Sequence, residues 1–517
     1  MTITPTYPGV YVTEVPSGNR TVTGVATAVT AFVGVARRGP ADTPVAIGNF
    51  SEFERTFGGL SRDGGLGYAV RDFYLNGGGP ALVVRVAHDD AATATVDVDG
   101  LGLVAVGPGV WANTLQVVVS HPASTAEADD IAAGQGGGIT GGDLFTLAIH
   151  DGDPATTDPL EVFRNVTVAD GPLRVDRILG SSRLLRVDGP LPGVRPTPVT
   201  STVELDGTAG ADGGAVVADD YVGTGFAAAK RGLYALELAD LVNIIVLPPP
   251  TPAGTLPAAV WPDALDYAVD RRAFLVVDPP AALTLGDAAG WATSVGLTGT
   301  ATRNAGFYFP RIRHADPLRN GTIDTFAPGG AVAGVMARTD GSRGVWKAPA
   351  GLEAGLTGVV DLALDLTNGE NGPLNQAGVN VLRTFRESGS VVWGARTLRG
   401  SDALADDYKY VPVRRVALFL EESLYRGTQW VVFEPNDEPL WSQIRLSVGA
   451  FLQDLFRKGA FQGTTPRDAY FVRCDAETTT QYDIDRGIVN IQVGFAPLKP
   501  AEFVMISIQQ KTSAAAG

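Results

Sequence analysis

The side chains able to carry acid–base, nucleophilic or metal chemistry are few. Four histidines occur in 517 residues: His88, His121, His150 and His314. None has a second histidine three or four residues away, the spacing that sets two imidazoles on one helix face for zinc. Cys474 is the single cysteine, so neither a disulfide framework nor a cysteine-based metal cluster can form. It follows Phe471-Val472-Arg473 in a strand-like run with no histidine nearby in sequence, which predicts a buried structural thiol. Asp263, Asp266 and Asp270 would share a helix face, read here as a solvated acidic face before a cation site. Gly134–Gly138 lacks the preceding strand and the following Gly-Lys-Ser/Thr of a phosphate loop and reads as a surface loop. No serine sits in a Gly-x-Ser-x-Gly elbow, although counting residues leaves a Ser/His/Asp triad open. His314, in Pro310–Asp316, reads as an interface or surface residue. Catalysis has no positive support, and neither a cofactor nor a metal site is expected.

The elements that would have to position such groups belong to more than one core. A chain of 517 residues predicts two to four domains. Charged residues are only 19%, while 64 glycines and 34 prolines favour strands and turns over long helices. A net charge of −16 argues against nucleic acid, which needs a cationic footprint. The first residues lack a basic and then apolar signal pattern, and no apolar run approaches the ~18–20 residues of a membrane span. The expectation is a protein made in the bacterial cytoplasm, without direct membrane insertion, released by lysis or a non-classical route if it leaves.

Residues 1–19 read as an N-terminal arm. Residues 20–90 read as α/β: a strand at Thr27–Val35, a helix opened by a Ser51/Glu54 capping box, a helix at Leu66–Leu75 and a strand at Ala81–Val86. Residues 91–220 are rich in Gly, Asp, Thr and Pro with short alternating runs, and read as an inserted β-rich domain. Residues 221–365 return to α/β, with buried runs ending at Leu247 and Val277 that suggest a largely parallel sheet. Residues 366–486 predict strands at Val379–Arg383, Val391–Thr397 and Gln429–Phe433 and a helix around Val413–Tyr425. The longest amphipathic helix, Pro439–Lys458, is capped by Asn436 and carries a stripe of Leu440, Ile444, Val448, Phe451, Leu452 and Leu455.

The chain ends alternate as strands do. Val489, Ile491, Val493 and Phe495 share one face, and Val504, Ile506 and Ile508 share another beyond a Pro-containing turn, with Phe503 on the opposite side. At the other end, Thr6–Val15 includes Tyr7, Val10, Tyr11 and Val12. Apolar strands at both extremes template pairing with another chain. We expect residues 487–517 to be an arm and the two C-terminal strands to form a receiving sheet.

Eight segments in order resemble contractile tail sheath proteins: Tyr7–Glu14, Gly109–Val119, Gly232–Asn243, Phe274–Pro280, Ala333–Ala350, Trp393–Leu398, Gly427–Trp441 and Lys499–Phe503. These occur in contractile phage tails, phage-like bacteriocins and extracellular contractile injection systems. The resemblance implies an α/β multidomain subunit with a subtilisin-like middle region, an α+β C-terminal core, an outer β-rich insertion and strand arms. It implies a helical homo-oligomer of hexameric rings around an inner tube protein, bounded by baseplate and tail-terminator or cap proteins. Contraction from a metastable extended state would drive the tube through an envelope without a nucleotide. It also places the Pro439–Lys458 helix toward the tube, with Arg445, Arg457 and Lys458 as contacts. The competing readings are a hydrolase on the subtilisin-like region and a surface-layer or adhesion protein.

Overall fold

A computed structural model describes residues 21–122, 125–134 and 138–507. They form two compact units: Thr27–Arg343 with Ala348–Arg414, and a smaller one of the residues up to Ala26, Gly344–Lys347 and the chain from Arg415.

The larger unit is organised on an eight-stranded sheet in the order Gly389–Val392, Val379–Phe385, Ala305–Phe309, Phe274–Val277, Ile244–Val246, Thr30–Gly34, Ala81–Arg85, Val45–Ile47. The six inner strands are parallel and the two edge strands antiparallel. Ala-Val-Ile-Leu-Phe runs fill these strands because helices cover the sheet and both faces are buried. Leu66–Leu75 packs against Gly329–Arg343, and this contact needs glycine: a Cβ at Gly330 would fall on the Ala69 carbonyl and one at Gly334 on the Phe73 carbonyl.

Residues 95–208 fold on their own core of Val96, Leu103, Val117, Leu147, Ile149 and their neighbours. Two four-stranded sheets flank it, Val199–Thr202/Leu115–Ser120/Phe145–Asp151/Glu161–Val166 and Gly207–Thr208/Thr95–Val98/Leu101–Ala105/Leu185–Val187. A helix, Thr125–Ala133, lies in this β-rich segment and was not foreseen. The chain enters and leaves side by side: Ala92 N–H donates to the Ala211 carbonyl and Ala211 N–H to the Ala92 carbonyl, both at 2.9 Å.

Several expectations shift. The first helix starts at Phe50, so its cap is Asn49, which accepts from Glu52 N–H at 2.9 Å, while the Glu52 carboxylate accepts from Gly48 N–H at 2.7 Å. That reciprocal pair displaces the Ser51/Glu54 box by two residues. Val379–Phe385 and Gly389–Val392 extend the large sheet, so the expected boundary at 366 falls inside the larger unit, and the smaller one resumes at Arg415. Gln429–Phe433 is no strand: Gln429–Val431 is a 3-10 turn. Residues 1–19 lie outside the described residues. No helix among the described residues is long and apolar enough to cross a membrane.

Candidate functional site

In the smaller unit the helices Val411–Gly427 (from Arg415 on) and Glu438–Arg457 share a core of Val416, Leu420, Ile444, Val448, Phe451 and Leu452. The cap of the second helix is Asp437 and not the expected Asn436: the Asp437 carboxylate accepts from Leu440 N–H at 3.3 Å. Asn436 is diverted: its carbonyl oxygen accepts from Trp441 Nε1 and its amide donates to the Ile488 carbonyl, both at 2.9 Å.

Against this helix lies a two-stranded antiparallel sheet, Tyr470–Arg473 with Gln492–Phe495. Tyr470 opposes Phe495 and Val472 opposes Val493, and all four pack toward the helix core. Tyr470 also donates its hydroxyl to Gln453 Oε1 at 2.8 Å. On the other face the Phe471 ring lies across Gly494, where a Cβ would collide with it. Neither strand has a second strand beside it among the described residues. Two main-chain edges are therefore available, each a row of N–H and C=O groups that can template another strand.

The predicted arm residues divide accordingly. Val493 and Phe495 stand in this sheet, and Val489 and Ile491 pack on the same core just before it. Phe503, Val504 and Ile506 form no strand within the chain and are 72%, 80% and 80% exposed, with Met505 at 92%. The expected receiving sheet of two C-terminal strands is therefore corrected: Gln492–Phe495 pairs with Tyr470–Arg473, and residues 503–507 form no strand. Tyr7, Val10, Tyr11, Val12 and Ile508 lie outside the described residues.

The predicted cations differ from one another. Arg445 is half-buried and donates to the Cys474 carbonyl and to Glu438, so its guanidinium is engaged within its own unit. Arg457 is exposed and forms no ion pair with a described residue, and Lys458 pairs with Asp454 one helical turn back at 2.7 Å. The outward face of the helix between them carries Ser442, Gln443, Leu446, Ala450 and Asp454.

Cys474 and His314 are built into the interior. Cys474 is buried, and burial pushes its thiol up to about 11. His314, expected at a surface, is 3% exposed and stacks on Phe326 at 3.8 Å. Its Nε2 lies 3.2 Å from Asp72 Oδ2, and Arg71 Nη2 lies 3.0 Å from its Nδ1. Ile312, His314 and Asp316 alternate inward along one strand, which explains the burial. Among the described residues no imidazole hydrogen-bonds a serine. Asp263, Asp266 and Asp270 all face solvent from the Val260–Asp270 helix.

An open parallel sheet takes ligands beyond the carboxyl ends of its strands where the strand order reverses. Here the reversal flanks Thr30–Gly34, and the Pro248–Pro250 stretch occupies the space beyond it. Gly65 N–H donates to the Pro250 carbonyl at 3.1 Å, and the Pro248 ring lies against Gly34. The neighbouring Arg85 is buried and donates to the Ala36 and Gly39 carbonyls at 2.9 and 3.0 Å. Asp278, at the end of Phe274–Val277, accepts from Gly329 N–H at 2.7 Å, and burial pushes its carboxyl up to about 7.

Two family models match the chain: phage tail sheath protein central domain over residues 235–398 and phage tail sheath C-terminal domain over 405–511, together just over half of it. The tail sheath protein of Vibrio phage KVP40 is 27% identical over 179 residues, 34% of this chain and 25% of that protein. The chain thus spans about a quarter of the length of the curated relatives it matches. Among solved structures, the contracted-state sheath complex of the extracellular contractile injection system PVC has a TM-score of 0.56 at 22% identity, covering 99% of each chain. The sheath tail protein of Listeria innocua has a TM-score of 0.58 at 16% identity, covering 92% of this chain and 96% of that one. At such identities the likeness is one of fold: a mixed α/β, multi-sheet architecture.

Proposed function

The chain belongs to the phage tail sheath protein family, and from that membership we propose that it is a contractile sheath subunit. Copies stack as hexameric rings around an inner tube, between a baseplate and a terminator or cap. Strands from the two chain ends join neighbouring subunits, and passage from an extended to a contracted state drives the tube through a target envelope. The observation that carries this reading is the open two-stranded sheet followed by an exposed apolar alternation at 503–506. Strand addition to such an edge gives adhesion through main-chain hydrogen bonds and register through alternate side chains. Each bond is worth about 0.5–1.5 kcal/mol net. A few per joint plus buried Phe, Val and Ile hold subunits together while their bodies move.

In this reading the outward face of Glu438–Arg457 meets the inner tube, through Arg457 and Lys458 in salt-sensitive contacts. Arg445 shapes that face by tying the helix to Cys474. The subtilisin-like description of the middle region, the outer position of residues 91–220 and the terminal arms belong to the same proposal. No observation favours a hydrolase or a surface-layer protein.

The test is assembly. The overproduced full chain should form long hollow cylinders in electron micrographs, and deletion of Met1–Gly18 should leave folded subunits that form none. A truncated chain that polymerises as well as the intact one would remove the linking role.

A further inference from the structure

Between the two long helices of the smaller unit lies a turn that the site above does not use. Glu434 N–H donates to the Val431 carbonyl at 3.1 Å, which closes a four-residue turn with Val432 and Phe433 at its centre. Val432 has φ −64° and ψ 128°, and Phe433 has φ 70°. These are the torsions of a type II turn, whose third position takes glycine or asparagine because a β-carbon is strained there. Phe433 is also fully exposed, and Val432 is 62% exposed. A bulky aromatic ring thus occupies a backbone position that suits glycine and a surface position that suits a polar group. Strain of this kind persists where the surroundings enforce it, and it concentrates at functional sites.

The segment just after the turn is held in place. Asn436 accepts from Trp441 Nε1 and donates to the Ile488 carbonyl, each at 2.9 Å, so the stem of the turn is braced on the helix and on the segment entering Gln492–Phe495. The tip is an exposed apolar projection whose stem is hydrogen-bonded to the segment entering the sheet at which strands of another copy are proposed to add. Aromatic rings are efficient anchors because they bury much area while freezing only two torsions.

We infer that the Val432–Phe433 tip inserts into an apolar recess of a second copy of this chain, as the side-chain anchor of the strand joint. This rests on the strand-joining reading. A second copy is the occupant because Asn436 makes the tip continuous with the segment that leads into the joint.

The experiment compares the full chain with Phe433→Gly, Phe433→Leu and the Met1–Gly18 deletion, all without inner tube protein. The thermal midpoint of the dispersed subunit and the concentration threshold for self-association are measured, the latter by sedimentation and microscopy. Phe433→Gly should melt at or above the parent, because strain is relieved, while its threshold rises tenfold or more. Phe433→Leu should stay within about threefold of the parent. Self-association of Phe433→Gly at the parent threshold overturns the anchor, even if the deletion abolishes cylinders and so upholds the strand joint. A lowered melting point for Phe433→Gly overturns it by giving the ring a role inside its own subunit. A defect that emerges only when inner tube protein is added overturns it in favour of the tube. A deletion without effect, or a parent chain that never self-associates, overturns the reading beneath it.

Discussion

The eight-stranded sheet and the two-stranded sheet are built from the same kinds of residue, yet they end differently. The large sheet ends in an antiparallel strand on each side, and residues 351–356 run along one of these two edges. There Gly351 N–H donates to the Val392 carbonyl at 2.9 Å and Leu356 N–H to the Ser390 carbonyl at 2.8 Å. In the small sheet both edges stay open among the described residues, next to an exposed Phe-Val-Met-Ile run. On the side where residues 351–356 run, the large sheet's edge bonds are taken up within its own unit. The small sheet presents edge main-chain groups of the kind that can template another strand.

If that contrast holds, changes in the large sheet should cost stability, and changes around the small one should cost assembly. The largest effect is expected at Phe307, which is fully buried and packs on Trp291 at 4.9 Å. Phe307→Ala should lose about 3–5 kcal/mol in chemical denaturation. A loss below 1 kcal/mol would mean the sheet is not the stability centre.

Asp278 tests the same region by pH. Its carboxyl lies near 7 when folded and at about 3.9 when unfolded. The native state therefore binds the proton more tightly, and this group's contribution is fully present below about pH 4 and lost as pH rises through about 7. Unfolding free energy should fall by up to about 1.4 kcal/mol per pH unit in that window. Asp278→Asn should flatten the slope, and an unchanged slope would assign it to other groups.

Around the small sheet the stability effects shrink. Asn436→Ala removes two hydrogen bonds and should cost about 1–2 kcal/mol, with a larger proportional effect on self-association. Lys458→Ala breaks an exposed pair with Asp454 and should change denaturation by less than about 0.5 kcal/mol. Truncation before Phe503 should have the smallest effect on the isolated subunit, within about 0.5 kcal/mol, yet prevent cylinder formation. Equal losses of stability and assembly on truncation would erase the distinction between the two sheets.

The large sheet was legible in the sequence because fully buried parallel strands leave unbroken apolar runs such as Phe274–Val277. Leu66–Leu75 was legible because apolar periodicity ends at a glycine-rich stop. His314 was not: Ile312, His314 and Asp316 alternate one apolar with two polar groups, so an inward face looked outward. The helix cap was misread: Asn436 was expected to cap, but it is engaged by Trp441 and Ile488, and Asp437 caps instead. Gln429–Phe433 has the residue types of a strand, but no residue type announces a phenylalanine at φ 70°. The expected strand at 503–508 does not form over the described residues 503–507, because apolar alternation alone does not supply the paired strand a ladder needs.

The paired bonds between Ala92 and Ala211 have a practical corollary. A chain that departs from its body and returns through two touching residues can surrender everything in between without stretching the rest. A fluorescent reporter, an affinity tag or a foreign enzyme whose own termini lie about 5 Å apart could be spliced at that seam. Every subunit would then carry the same passenger, and a filament built from them would become a regularly spaced display scaffold.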